Sequence, residues 1–125
     1  MADLSGSWLG TYWQREMPTR FEATLLQSGN SLSGNILDDG PLGEALLSGE
    51  AIGRRVSFIK RYLGAGSESI SYTGVVNEDE NYIRGQWQVG NYDSGPWEAH
   101  RSGSNLTVEF EQSKSKRELV GVGKV

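Results

Sequence analysis

Lys60 alternates with Phe58 and Tyr62 along a short run, so a primary amine shares one face with two aromatic rings. Burying an unpaired ammonium costs several kcal/mol, and it needs a partner or a route to water. One reading gives Lys60 a carboxylate, phosphate or carbonyl ligand inside a cavity. Others place it at a rim, where it snorkels to solvent, or on a bulge that turns it outward. Tyr12 and Gln14 lie two residues apart near the start of the chain and would offer polar tips to the same space. Tyr62 and Tyr72 could orient a ligand through their hydroxyls, with Phe58 and Trp87 as apolar lining. Together, Tyr12, Gln14, Phe58, Lys60, Tyr62, Tyr72 and Trp87 form a candidate binding set for a small apolar or amphipathic molecule.

Other reactive types are sparse. His100 is the only histidine, and its alternation with Trp97 and Arg101 puts it on the outer face, away from a haem-type site. Asp38-Asp39 and Glu78-Asp79-Glu80 lack the spaced oxygen ligands of a calcium loop and read as solvated turns. The chain has no Cys, no phosphate-binding loop and no Gly-X-Ser-X-Gly elbow, so neither enzyme, metal nor cofactor is expected.

These side chains must be positioned by strands. The 125 residues suit one domain, and 17 Gly against 3 Pro favour turns and bends over long helices. Only 36% of residues are hydrophobic, but 10% are aromatic, so aromatic rings must supply much of the core. Eight alternating segments follow one another, separated by turn formers such as Ser28-Gly29-Asn30 and Asn77-Glu78-Asp79. The first runs from Leu4 to Gln14, the second from Arg20 to Gln27 after a turn containing Pro18, and the eighth from Pro96 to Arg101. An inward face can be followed by parity through Trp8, Phe21, Leu25, Leu32, Ile36, Leu47, Ile70, Ile83 and Trp97. The pattern predicts an all-β fold: a single eight-stranded antiparallel up-and-down (meander) barrel over residues 1–103. Residues 104–125 would be an extension, either an extra strand or a docked tail.

Gly6-Ser7-Trp8 is similar to the Gly-X-Trp opening of the calycins, the superfamily of lipocalins, fatty-acid-binding proteins and avidins. The resemblance implies that Trp8 packs across a basic residue of the last strand, a place held here by Arg101. Gly6, Trp8 and Arg101 would then be structural. The Arg-X-Tyr clamp of fatty-acid-binding proteins is absent, because Arg101 is followed by Ser102-Gly103, and no avidin-like site maps onto the chain.

A formal net charge of −4 argues against nucleic acid. No run approaches the roughly 18 apolar residues of a spanning helix, and the N-terminus lacks a signal-peptide layout. A cytoplasmic protein without membrane insertion is expected. The function these features suggest is binding of a small ligand in the barrel cup. The alternative is a barrel filled by its own side chains, acting as an interaction or assembly module, a homo-oligomer included, through exposed Trp13, Ile59 and Leu63.

Overall fold

The computed structural model describes residues 3–64 and 68–102. The stretch 65–67 and the extension 104–125, with its boundary at 103, lie outside the described residues.

Eight strands follow one another as a meander: β1 (Gly6–Gln14), β2 (Met17–Ser28), β3 (Ser31–Asp38), β4 (Glu44–Ile52), β5 (Arg55–Tyr62), β6 (Ser69–Val76), β7 (Tyr82–Val89) and β8 (Asp93–Arg101). Every neighbouring pair is antiparallel, and β8 returns to β1 from Trp8↔Arg101 to Tyr12↔Trp97, which closes the barrel. Alternation decides which side chains enter. Along β5, Val56, Phe58 and Lys60 are buried while Arg55, Ser57, Ile59 and Arg61 face out.

Two strands reach further than the sequence suggests, β2 back through Pro18 to Met17 and β8 back past Pro96 to Asp93. Pro18 pairs with Trp13 inside β2, and Pro96 pairs with Gln86 inside β8. Each lies beyond the part of its strand that pairs on the other side. β2 meets β3 only from Phe21 onward, and β8 meets β1 only from Trp97 onward. A missing N–H is tolerated where a strand serves one neighbour. The β1–β2 connection is correspondingly tight. Arg15 and Glu16 form a two-residue turn with φ of 52° and 70°, the left-handed pair that matches hairpin twist.

The core is aromatic, and glycines make room for it. The Trp97 indole crosses Gly74, where a Cβ would come within 2.9 Å of the ring, and donates its N–H to the Thr73 carbonyl at 2.9 Å. Phe58 and Tyr72 stack at 4.9 Å, with the edge of Trp97 against both. Between Trp8, Phe21, Leu32, Phe58, Ile83 and Trp97 only a void of about 20 Å³ is left. The middle of the barrel is packed solid.

Candidate functional site: a buried ion pair at one end of the barrel

The two ends of the barrel differ in chemistry. At the end where β1 begins, Leu4 is fully buried and Trp8 donates its indole N–H to the Leu4 carbonyl at 2.9 Å. The Arg101 guanidinium lies 4.6 Å from the centre of the Trp8 ring and donates to the carbonyls of Asp3, Ser5 and Glu80 and to Asn81 Oδ1. One planar cation thus ties the N-terminal segment and the β6–β7 turn to the last strand. This end is latched shut.

The opposite end is built from the last residues of β1, β3, β5 and β7 and the first of β2, β4, β6 and β8. Lys60 is there, 0% exposed. It neither snorkels nor sits on a bulge. Its Nζ donates to both carboxylate oxygens of Asp38, at 3.0 and 3.2 Å, and reaches the Tyr72 hydroxyl at 3.5 Å. Asp38 is itself 5% exposed. Reading it as part of a solvated turn was incorrect, because β3 continues through Asp38 and the parity of Leu32 and Ile36 carries it inside. Its neighbour Asp39 is the exposed one.

Asp38 gathers the tyrosines as well. Its Oδ2 accepts from the Tyr12 hydroxyl at 2.9 Å and from the Tyr62 hydroxyl at 2.5 Å. The ammonium also lies 4.7 Å from the ring centres of both Tyr12 and Tyr62. Desolvation pulls Lys60 below the ordinary lysine range, and the Asp38 carboxylate opposes this. Desolvation, reinforced by the Asp38 charge, pushes the phenols of Tyr62 and Tyr72 up. Tyr12 rises for the same first reason, with its hydrogen bond to Tyr62 working against it. The cluster is thus a neutral ion pair ringed by phenols that stay protonated.

The structure brings Tyr12, Lys60, Tyr62 and Tyr72 into one network and adds Asp38 to it. Trp87 flanks this network edge-on to Tyr12 at 6.3 Å, and its indole N–H donates to the Trp13 carbonyl at 3.0 Å. Gln14 stands above, at the exposed rim, and donates to Asp93 at 2.7 Å. Phe58 is below, in the packed core. Phe58, Tyr72 and Trp87 are buried and fill the interior themselves. His100 is exposed on the outer wall, its ring centre 4.7 Å from that of Tyr82.

Among the described residues, no group of three or more His, Cys, Asp or Glu could hold a metal ion. No helix among them is long and apolar enough to cross a membrane. Outside the barrel, Leu37, Leu46, Ile59 and Leu63 are exposed, and half-buried Trp13 lines an outer groove with Arg84, Gln86 and Pro96.

No family model matches the chain, and no curated protein matches it. A solved structure does: a redesigned β-barrel, mFAP1, bound to DFHBI, similar over 78% of this chain and 94% of that one with a TM-score of 0.62. Identity between the two is 8%, so the likeness is one of fold. The chain is an all-β, closed, eight-stranded antiparallel meander barrel.

Proposed function

We propose that the protein binds a small, partly apolar molecule at the open end of the barrel, over Tyr12 and Tyr62, without catalysis. The observation that carries this reading is the buried Lys60–Asp38 pair with its three tyrosines, concentrated under one end only. A buried ion pair is a poor way to stabilise a core, since well-packed apolar residues of similar volume serve as well or better. A barrel whose middle is already packed by Trp, Phe and Leu has no structural need of one, and departures of this kind gather at functional sites. The likeness to a barrel solved with a bound ligand fits the reading at the level of fold. So does the calycin-like latch of Gly6, Trp8 and Arg101, which closes one end and leaves the other for a guest. A cytoplasmic setting belongs to the same reading.

A second reading has its own observation: the void of about 20 Å³ shows how little the middle of the barrel leaves empty. On that reading the barrel is filled, and it works through its outer face as an interaction or assembly module, with Leu37, Leu46, Ile59 and Leu63 at the contact. Native mass spectrometry of the purified protein separates the two. A small-molecule adduct that disappears on denaturation is expected. A bare mass, together with a concentration-dependent oligomer on sizing, would replace the first reading by the second.

A further inference from the structure

The Lys60–Asp38 pair has the makings of a covalent bond as well as of an ion pair. Nζ lies 3.0 and 3.2 Å from the two carboxylate oxygens, so the carbon they share is within reach of the amine. Both residues are shut off from solvent, at 0% and 5% exposure. In water an amine and a carboxylic acid exchange a proton and stop there, because hydration holds both charges. Burial removes that hold, and desolvation already pulls Lys60 toward its neutral, nucleophilic form. The strands keep the two groups in contact, which replaces a chance encounter by a fixed one. What remains is to supply donors for the oxygen that gains charge when the amine attacks. Asp38 Oδ2 accepts the hydroxyl protons of Tyr12 at 2.9 Å and Tyr62 at 2.5 Å, an arrangement of the oxyanion-hole kind.

We infer that Lys60 and Asp38 join in an intramolecular isopeptide bond, formed by the folded chain itself, with the ion pair as its reactant. One proton of the ammonium passes to Oδ1 across the 3.0 Å contact, leaving a neutral amine and a carboxylic acid. The Nζ lone pair then forms a bond to Cγ, and Oδ2 takes the negative charge between the two phenols. A second proton moves from nitrogen to the Oδ1 hydroxyl, the Cγ–Oδ1 bond breaks, and one water leaves. The amide keeps the third proton on nitrogen, on the side of the Tyr72 hydroxyl, and its carbonyl oxygen is Oδ2 with both tyrosines still donating to it. The step is a condensation within the chain and needs no oxidant or co-reactant. The bond ties β3 to β5 across β4 and closes a loop between positions 22 residues apart, a constraint that persists in the unfolded chain. Until the bond forms, the chain has the stability of the ion pair alone. The link does not depend on a guest, and it survives denaturation, on which a guest is lost.

Mass spectrometry of the denatured full chain, freshly purified and after incubation of the folded protein at neutral pH, tests this. The expected product is lighter by one water, and digestion should yield a branched peptide linking Asp38 to Lys60. Lys60→Arg, which keeps the charge but not the nucleophile, should hold the full mass. Tyr62→Phe removes one donor to Oδ2 and should slow the loss of water by about a hundredfold. Folded parent protein that keeps its full mass on prolonged incubation would overturn the inference. So would a loss of water mapped to Asp39–Gly40, where an exposed aspartate followed by glycine can close on the backbone instead. A Tyr62→Phe variant reacting at the parent rate would count against Asp38 Oδ2 as the oxygen that gains the charge.

Discussion

A lysine and an aspartate 22 residues apart in sequence meet inside the barrel because β3 and β5 both end at the same rim with the same parity inward. Their contribution to stability differs sharply depending on whether one or both are removed. Lys60→Ala strands the Asp38 carboxylate among phenols and aliphatic carbon and is expected to cost about 3–5 kcal/mol. Replacing both, as Asp38→Leu with Lys60→Met, removes the charges together and should return to within about 1–2 kcal/mol of the parent. Urea unfolding of the three proteins reads both values. A loss under about 1 kcal/mol for Lys60→Ala would mean that water reaches Asp38 freely. At this scale the sequence is only half legible. Lys60 stands out because an amine between Phe58 and Tyr62 breaks an apolar pattern. Asp38 does not, since it sits next to Asp39, Gly40 and Pro41 and looks like the start of their loop. Continuing the period-two count from Ile36 by one more step is the signal that places it inside.

The strands themselves are written more plainly, because inward and outward positions differ in polarity along nearly all of each one. What local pattern conveys poorly is where a strand pairs on only one side. Proline is admissible at such places, so β2 runs back through Pro18 to Met17 and β8 back past Pro96 to Asp93. The turn expected around Pro18 narrows to Arg15–Glu16, a tight pair of left-handed residues that no glycine or asparagine marks. Glycine inside the strands carries information of another kind. At Gly85, a Cβ would strike the Thr73 carbonyl oxygen and lie 2.5 Å from the Gly74 Cα, so β6 and β7 approach there more closely than any side chain permits. Gly85→Ala should therefore destabilise by about 1–3 kcal/mol, through forced separation of the two strands. Gly40→Ala, with nothing within 4 Å, is the matched control and should stay within about 0.5 kcal/mol. Thermal unfolding followed by circular dichroism distinguishes them, and equal shifts for both would show that close packing of β6 on β7 is not what Gly85 provides.

Across the whole molecule, one end is closed by a cation on an indole and the other is floored by a polar cluster, and this asymmetry makes stability depend on pH in a particular direction. Tyr12, Tyr62 and Tyr72 have their phenol values raised by burial, whereas in the unfolded chain each titrates near 10. Above about pH 10 the unfolded state therefore loses protons that the folded state keeps, and stability falls as pH rises. Tyr72, fully buried, contributes a slope of up to about 1.4 kcal/mol per pH unit, while Tyr12 and Tyr62 contribute less because they are only half-buried. Lys60 acts with the opposite sign. Its value is lowered in the fold, so its contribution grows as pH rises toward about 10.4, the unfolded lysine value, and is constant beyond. The two effects partly offset each other just below that point. Above it only the tyrosines remain, and the barrel should open as a unit. Denaturation midpoints measured from pH 8 to 12 are expected to hold nearly level and then fall, with the ultraviolet signature of tyrosinate appearing together with loss of strand signal. The triple variant Tyr12→Phe, Tyr62→Phe, Tyr72→Phe should flatten the alkaline fall. Tyrosinate forming ahead of unfolding would instead mean that the phenols above Lys60 are wet in the native barrel, and that its open end is solvated down to the Asp38 carboxylate.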